Sequence, residues 1–419
     1  GDVYKRQSYQ SNINTKVSQD IDKINKLGHK IHELNQQISK IEAGGIETAM
    51  DLRDERDLAL DQLGALAKIS YKEDYKGVVT VKLEDEYFVD ELHTYEIGKK
   101  TDKLTGFITP YWPQLSDTDR DIYVNVFDFN VDISTALNSD VGELKALIMS
   151  RGDHWADYSD IEGKGEQEYL DTTNLSVIID MQAKLDQMVH NMITAINDQL
   201  CPNVTGPVGV TYQDANGNTV NLSDAKVLDT ENCARGSDGE LPPRELFVRA
   251  GIERYTEVTG SDGKTYYVYN EEDTSDTSYM YSLTSCGVNE ELKKIETLFP
   301  HLKQNGEVDQ QLGERLEALW NKDLVGLDPT DPDECNIEEY YQKMIGGLAT
   351  VGNVYQKKAE DLAGSVLTIE NNRQQVIGVS SDEELQNMIK FQNAYNASSR
   401  FMTVISDMIE HIVTRLGNG

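Results

Sequence analysis

The stretch "SYQSNINTKVSQDIDKINKLGHKIHELNQQISKI", residues 8–41, decides the fold because its apolar side chains recur at helical spacing. Steps of three, four and seven residues place these side chains on one face of an α-helix. They are Val17, Ile21, Ile24, Ile31, Leu34, Ile38 and Ile41. A long helix with a continuous apolar face needs other helices or strands to cover that face.

Two further helices are predicted in the first half of the chain. One runs from about Glu47 to Lys68, after the break at Gly44-Gly45, and its apolar positions are Leu52, Leu58, Leu60, Leu63 and Leu66. The other runs from Leu175 to Leu200. Its apolar stripe is predicted to be core. The stripe consists of Ile178, Met181, Leu185, Met188 and Met192.

The last third of the chain is also predicted to be helical. One stripe steps by four and three residues, with Gly352 filling one slot, through Tyr341, Ile345, Leu348, Tyr355, Ala359, Leu362, Val366 and Ile369. After Gly378, Ser380 and Glu383 form a capping-box signature. The helix that follows, from Asp382 to Leu416, would be about 50 Å long. Its heptad-like seam consists of Phe391, Tyr395, Ser398, Met402, Ile405, Ile409, Ile412 and Leu416.

Strands are predicted between the helical ends. The segments "GVVTVKL" (77–83), "EYFVDEL" (86–92) and "DIYVNVFDFNVDI" (121–133) alternate apolar and polar residues. Residues 203–285 are rich in Gly, Asp, Asn and Thr, and they hold two short aromatic strands, "KTYYVYN" (264–270) and "YMYSL" (279–283). Short helices are expected from Asn289 to Phe299 and from Gln310 to Trp320.

These elements predict an α+β fold, with a long-helix bundle built from both chain ends and a β-rich domain inserted in the middle. We expect 8–202 to be the first part of the helical core, with small β elements, and 203–285 to be the β-rich variable insert. Residues 286–334 then hold short helices and an acidic linker, and 335–419 complete the core and end in the terminal helix. Residues 1–7 are expected to be a non-native leader, because Asp2 to Gln7 reads like a translated transposon end from DNA library preparation.

The composition restricts the possible partners. The chain has 73 acidic against 39 basic residues and a formal net charge of −34. Such a charge repels phosphate backbones and anionic lipid, so neither nucleic acid nor a membrane is expected as a partner. No run approaches the ~20 apolar residues of a membrane span. The four cysteines, Cys201, Cys233, Cys286 and Cys335, form no C-x-x-C pair, so a zinc site is not expected.

The sequence predicts no catalytic site, no cofactor and no metal site. His29 and His32 lie one helical turn apart, but Gln36 stands where an H-E-x-x-H motif needs its second His. Asp54, Arg56 and Asp57 lie within one helical turn, where we expect them to pair with one another. The nucleotide-binding and nucleophile-elbow motifs are absent from the sequence. An enzyme is therefore not predicted.

Four motifs along the chain have counterparts in a known family. The first, "DLRDERDLALDQLGALAKI" (51–69), contains a Leu-x-Asp-x-Arg-Asp-x-Leu segment with its matching positions at Leu52, Asp54, Arg56 and Asp57. The second, "GELKALIMSRGD" (142–153), matches a Gly-Glu-Leu-x-x-Leu-x-x-x-Arg-Asp element that includes Arg151, with Gly152 inserted before the Asp. The third, "VNEEL" (288–292), matches Val-Asn-Pro-Glu-Leu, with Glu290 in place of Pro.

The fourth motif lies in residues 371–412 and is the most extensive. It follows an Arg…Gly-Val-x-x-Asp-Glu-Glu…Phe-Gln-x-x-Tyr-x-Ala pattern, whose positions include Arg373, Gly378, Asp382, Glu383, Phe391, Gln392 and Tyr395. Ser380-Ser381 stand where Asn-Leu is usual. In this order the four motifs resemble the flagellar hook-associated protein 1 family, over most of the chain outside roughly 203–275. We expect that family's first segment, with its Asn-Ile-Ala-Asn motif, to be missing from this sequence.

The resemblance implies a structural subunit of the bacterial flagellum. It implies export in an unfolded state through the flagellar type III apparatus, a place outside the cell, and a ring of subunits at the hook–filament junction. It implies four partners: the hook protein, the second hook–filament junction protein, a flagellar export chaperone and further copies of the chain itself. The interface for assembly and for the chaperone is expected at Phe391, Tyr395, Met402, Ile405, Ile409, Ile412 and Leu416.

Two questions about the insert stay open at this point. Because an unfolded chain in transit cannot carry a disulfide, we expect free thiols in the cytoplasm and at most one bridge outside, between Cys233 and Cys286. The alternative function is an insert that carries an enzymatic activity or binds a surface glycan. The tyrosines that would stack on a glycan are Tyr255, Tyr266, Tyr267, Tyr269, Tyr279 and Tyr281.

Overall fold

The computed structural model describes residues 2–45, 48–129, 141–215 and 217–377, together with residues 390 and 392. The chain forms two compact units, Gly1–Leu348 and Ala349–Gly419. The α-helices in the described ranges are α1 Asp2–Glu42, α2 Met50–Leu66, α3 Glu143–Arg151, α4 Glu166–Asp171, α5 Val177–Leu200, α6 Glu290–Lys294, α7 Gln310–Ala318 and α8 Ile337–Ile377.

The strands pair only antiparallel in the described ranges. They are β1 Ile69–Glu73, β2 Val79–Leu83, β3 Glu86–Val89, β4 Gly98–Thr101, β5 Ile108–Tyr111, β6 Asn203–Thr205, β7 Thr211–Gln213, β8 Thr219–Asn221, β9 Lys226–Leu228, β10 Phe247–Val248, β11 Tyr255–Thr259, β12 Thr265–Tyr269 and β13 Gly287–Val288. The larger sheets have the orders β1-β2-β3 and β11-β12-β9-β6, and the pairs are β4-β5, β7-β8 and β10-β13. Helices at both ends and a β-rich middle confirm the predicted α+β class.

Helix α1 buries its apolar face against α2, α3 and the three-stranded sheet. The shared core includes Val17, Ile21, Ile24, Ile31, Leu60, Leu63, Val81, Phe88, Trp112 and Leu144. Full burial of each such isoleucine or leucine contributes about 1.5–3 kcal/mol of transfer free energy. The helix comes so close to β3 that a Cβ atom on Gly28 would lie 2.6 Å from the Phe88 ring. Only glycine fits at this point of contact.

The predicted helix at 175–200 is confirmed as α5, which begins after Ser176. The Ser176 hydroxyl caps it by accepting a hydrogen bond from the amide of Ile179. Met181, Leu185 and Met188 of the predicted stripe pack against a small core formed by Cys335, Tyr340 and Met344. These three side chains are half-buried, whereas Ile179, Ala183 and Ile193 are buried, so the predicted stripe lies at the edge of the core. Helix α5 ends at Leu200 and β6 begins at Asn203, next to the expected start of the insert.

Two of the predicted strands are wrong. Residues 121–129 form no strand, although Asn125 bridges to Tyr111, and residues 130–133 lie outside the described part of the chain. The adjacent side chains of Val126 and Phe127 are both buried, which an alternating strand does not allow. Residues 279–283 also form no strand. Three successive side chains, Met280, Tyr281 and Ser282, are buried there, whereas a strand would alternate buried and exposed side chains.

The expected cysteine pairing is also wrong. All four cysteines are free thiols, and Cys233 lies in the core cluster that contains Cys201. Cys286 instead lies near Asp186. Burial is the main cause that raises the pKa of the Cys286 thiol to about 11, and the Asp186 carboxylate adds to this increase. Asp186 and Cys201 are separated by about 22 Å along α5, at 1.5 Å per residue. Cys233 and Cys286 therefore lie beside parts of α5 that are far from each other.

Candidate assembly site

The predicted interface lies outside the described residues. This holds for Phe391, Tyr395, Met402, Ile405, Ile409, Ile412 and Leu416, and for the motif positions Gly378, Asp382 and Glu383. Arg373 lies within the last turns of α8, and Gln392 is helical with an exposed side chain. The assembly role of these residues stays a prediction.

Helix α8 exposes apolar side chains in the second unit. We call Tyr355, Leu362, Val366 and Ile369 the α8 stripe, because their spacing of seven, four and three places them on one helix face. Their exposed fractions are 60%, 65%, 64% and 66%. An aligned set of large apolar side chains in water marks a surface for interaction with another helix or protein.

In the first unit, the start of α8 has one buried and one exposed face. Tyr340 and Met344 are buried, and the Tyr340 hydroxyl donates to the carbonyl of Lys184 at 2.9 Å. Tyr341 and Ile345, the next residues in each case, are 50% and 40% exposed. The predicted apolar stripe, which includes Tyr341 and Ile345, is therefore on the exposed face at the start of α8. The side chains that attach α8 to the first unit are those of Tyr340 and Met344.

Asparagines on α1 bind the backbone of the strands and loops beside it. The Asn25 side-chain amide donates to the carbonyl of Ile97 at 3.0 Å, and its carbonyl accepts from the amide of Ile97 at 2.9 Å. Asn35 makes the same pair of bonds with Val79, at 2.8 Å and 3.0 Å. Asn14 accepts from the amide of Ile108 at 2.8 Å and donates to the Gly106 carbonyl at 3.0 Å. We call these three residues the α1 asparagines.

Two motif arginines are buried next to these asparagines. Arg56, 2% exposed, donates to the side-chain oxygen of Asn35 at 3.2 Å and to the carbonyl of Gly77 at 2.5 Å. The expectation that Arg56 pairs with Asp54 and Asp57 is therefore wrong. The guanidinium turns away from the exposed face of α2 into the core, where it ties α1 to the β1–β2 turn.

Arg151, at the end of α3, occupies the equivalent position at the other end of α1. It donates to the side-chain oxygen of Asn14 at 2.6 Å and to the carbonyl of Ile108 at 2.9 Å, and it lies 4.6 Å above the centre of the Phe107 ring. Burial lowers the pKa of this guanidinium to about 10. The family-motif positions Arg56 and Arg151 thus hold the helical framework together rather than forming a catalytic pair.

Leu52 and Arg53 anchor the start of α2 to the end of α1. Leu52 packs against Leu34, Ile38 and Ala49. Arg53 forms a two-pronged ion pair with Glu42, at 2.8 Å and 2.6 Å. The hydrogen bonds from Arg53 and from the amide of Ala49 lower the pKa of the Glu42 carboxyl to about 2. The connection between the two long helices is therefore fixed by charge as well as by apolar packing.

The tyrosines proposed as a glycan platform are partly internal. Tyr255 and Tyr281 are buried, and their hydroxyls donate to the Cys201 carbonyl at 2.9 Å and to Glu245 at 2.5 Å. Arg254 lies between these rings and pairs with Asp198. Burial raises the pKa of Glu245 to about 7, but its carboxyl is enclosed by these partners. Tyr255 and Tyr281 pack the insert against α5 and are closed to a ligand.

Neither a metal-binding group nor a membrane span is found in the described part of the chain. No three His, Cys, Asp or Glu side chains there are grouped so as to hold a metal ion. No described helix is both long enough and apolar enough to cross a membrane.

Comparison with known proteins agrees with this helical framework. The profile "Flagellar hook-associated protein FlgK helical domain" matches residues 4–211, and "Flagellar basal body rod FlgEFG protein C-terminal" matches residues 374–415. Flagellar hook-associated protein 1 of Bacillus subtilis (strain 168) is 23% identical over 430 residues, which cover 98% of this chain and 67% of that protein. The solved structure of the flagellar hook junction protein FlgK from Burkholderia pseudomallei has a TM-score of 0.46 and 13% identity, over 90% of this chain and 86% of that one.

The hook-associated profile covers the α1 asparagine framework, and the rod-protein profile covers the predicted terminal helix. The Bacillus subtilis relative extends the similarity over nearly the whole chain. The chain belongs to the flagellar hook-associated protein 1 family.

Proposed function

We propose that this chain is a structural subunit of the bacterial flagellum that forms the hook–filament junction. Membership in the hook-associated protein family supports this role. The α8 stripe carries the proposal within the molecule, because four large apolar side chains stay about 60% exposed or more along one face of a long helix. Such a face is stabilised when it is covered by a partner, as it would be in a tube of subunits.

Assembly proceeds through the terminal helices after export by the flagellar type III apparatus. The seam at Phe391, Tyr395, Met402, Ile405, Ile409, Ile412 and Leu416 lies within the segment that matches the rod-protein profile. Before export this seam is covered by a helical chaperone, in helix-in-groove fashion, which prevents aggregation. Outside the cell the same seam contacts neighbouring copies, the hook protein and the second junction protein.

The role is structural rather than catalytic. The strongest candidate for acid–base chemistry among the described residues is Glu245, and its carboxyl is enclosed by Tyr281, Asn197 and the insert backbone. A general acid or base must reach the proton that it transfers, and Glu245 cannot. The insert is therefore proposed as a structural part of the subunit.

The proposal is tested by introducing charge on the terminal seam. We expect Ile405→Asp with Ile409→Asp to abolish both chaperone binding, measured by calorimetry, and motility in a strain that lacks the native gene. Each buried isoleucine contributes about 1.5–3 kcal/mol, and each unpaired buried carboxylate costs several more.

A matched control places the same charge off the seam. Thr403→Asp with Thr414→Asp adds two carboxylates to the same segment but spares the heptad-like positions. This variant should bind the chaperone and restore motility. Normal motility of the Ile405→Asp, Ile409→Asp variant, or tight chaperone binding by it, contradicts the proposed assembly surface.

A further inference from the structure

Cys201 and Cys233 lie beside one another where α5 leads into β6. The pairing of β6 with β9 sets the register, with Asn203 opposite Leu228. The amide of Asp229 then donates to the carbonyl of Pro202 at 2.8 Å, and the amide of Ala234 donates to that of Leu200 at 3.3 Å. Residues 230–232 form a turn between these two bonds, and the second bond joins the peptide group that precedes Cys201 to the peptide group that follows Cys233.

The two side chains enter the same core. Cys201 is fully buried and Cys233 is 2% exposed, in one cluster with Leu228 and Ala234. The hydrogen-bonded peptide groups next to the two cysteines bring their backbones together, and, after burial, charge on Cys233 helps to raise the pKa of Cys201. Disulfides need Cα atoms about 4.4–6.8 Å apart, a separation that suits residues flanking such a backbone hydrogen bond.

In the reduced protein both thiols are protected. Burial raises the pKa of Cys201 and of Cys233, and the Cys201 thiol donates to the carbonyl of Pro243 at 3.5 Å. A protonated, covered thiol reacts slowly with an oxidant. Oxidation must therefore happen while the chain folds, before the core closes, and it requires the Cys201 side chain to turn from Pro243 towards Cys233.

We propose that Cys201 and Cys233 form a disulfide when the chain folds in an oxidising solution, and that this bond joins α5 to the insert in the exported protein. The oxidant is a low-molecular-weight disulfide. One cysteine thiolate attacks it, forming a mixed disulfide and releasing one small thiol. The second cysteine thiolate then displaces the other small thiol, so that two protons leave the cysteines and two electrons reduce the oxidant.

The setting, outside the cell, rests on the proposed function, but the pairing itself does not. It is tested on the purified full chain, refolded from denaturant with oxidised and reduced glutathione, then alkylated and digested without reduction. We expect mass spectrometry to find the peptides of Cys201 and Cys233 joined, with Cys286 and Cys335 alkylated. Alkylation of Cys201 and Cys233 in the refolded protein, or a link from Cys233 to Cys286, overturns the proposal.

Stability separates a native bond from a chance one. In a Cys286→Ser, Cys335→Ser variant, reduction should lower the urea midpoint, because the bond restricts the unfolded chain between residues 201 and 233. In a Cys201→Ala, Cys233→Ala variant, the same reductant should leave the midpoint unchanged. An equal shift in both variants, or none in the first, overturns the proposal. Neither result depends on flagellar assembly, so motility defects of the seam variants are judged separately.

Discussion

Asn25 pairs with Ile97 through two hydrogen bonds, as one strand residue pairs with another. The side chain of Asn25 both donates to and accepts from the backbone of Ile97, at 3.0 Å and 2.9 Å. Asn35 and Val79 repeat the arrangement three turns further along α1. A helix cannot offer its own backbone to a strand, because that backbone is already bonded within the helix. The α1 asparagines supply the missing partners and so join the helix to the strands and loops beside it.

Asn35 is expected to be the most costly of these residues to replace. It is 2% exposed and also accepts from the buried Arg56. Asn35→Leu leaves the amide and carbonyl of Val79 without their side-chain partners, so we expect a loss of about 3 kcal/mol in the free energy of unfolding. This loss is measured by urea titration, with circular dichroism as the signal for unfolding. Asn12→Leu, at an exposed position of the same helix, should change the free energy by less than about 0.5 kcal/mol; equal losses in the two variants contradict the role of Asn35.

Gly28 is predicted to reverse the usual effect of replacing a helical glycine. Gly→Ala within a helix normally stabilises by about 1 kcal/mol. At Gly28 the new methyl group would meet the Phe88 ring at 2.6 Å, so Gly28→Ala should instead destabilise by about 1–3 kcal/mol through overpacking. Gly313 of α7 has open space at its Cβ position, and Gly313→Ala should raise the melting temperature. A gain in melting temperature for Gly28→Ala would show that α1 and β3 are less closely packed than described.

Glu42 makes the stability of the α1–α2 connection depend on pH. Its ion pair with Arg53 lowers the pKa of the carboxyl from 4.5 to about 2 in the folded protein. Because the folded pKa lies below the unfolded one, the stabilisation is complete above about pH 4.5 and is lost as the pH falls towards 2. The difference in urea midpoint between the native protein and Glu42→Gln should therefore shrink across that interval.

The partner residue provides the control for this pH effect. In an Arg53→Met background the carboxyl has lost its main partner, so Glu42→Gln should have a small effect at every pH from 7 to 2. A native-minus-variant difference that stays constant from pH 7 to pH 2 would rule out the ion pair as its cause.

The long helices were predictable because their signal is local. The positions that build α1 and α2 recur within three or four residues, and the structure buries Ile21 and Leu63 accordingly. Helix α5 was also predicted, but its buried side chain is Ile179 and not the predicted Ile178. Alternation over 121–133 and 279–283 was misleading, because apolar residues next to one another in an irregular loop can both be buried. Short apolar runs do not distinguish a strand from such a loop.

The polar contacts of α1 could not be predicted from one sequence. Asn35 and its partner Val79 are 44 positions apart in the sequence, and an asparagine on a helix is taken for a solvated residue until that partner is known. The spacing of Asn14, Asn25 and Asn35, at ten and eleven residues, places them near one face, and this is the signal that could have found them. Arg56 was singled out by its motif, but its buried position depends on contacts with Asn35 and with the carbonyl of Gly77, which are both distant in sequence.

The α8 stripe should matter for assembly and not for the stability of the isolated chain. Leu362 and Val366 are 65% and 64% exposed, so Leu362→Asp with Val366→Asp removes little buried apolar surface. We expect the thermal midpoint of the purified protein to stay within about 1–2 °C of the native value, because a change near 1 kcal/mol shifts the midpoint by only about 1 °C in a chain of this length. In a strain lacking the native gene, the variant should fail to restore motility, since two carboxylates would have to be buried against a partner.

Ser365→Asp with Thr368→Asp is the matched control, because it adds the same charge on the same two turns but off the stripe. This control should restore motility. Equal motility of the two variants would remove the α8 stripe from the assembly surface, whereas a large fall in the thermal midpoint of the stripe variant would mean that the stripe already packs within the single chain.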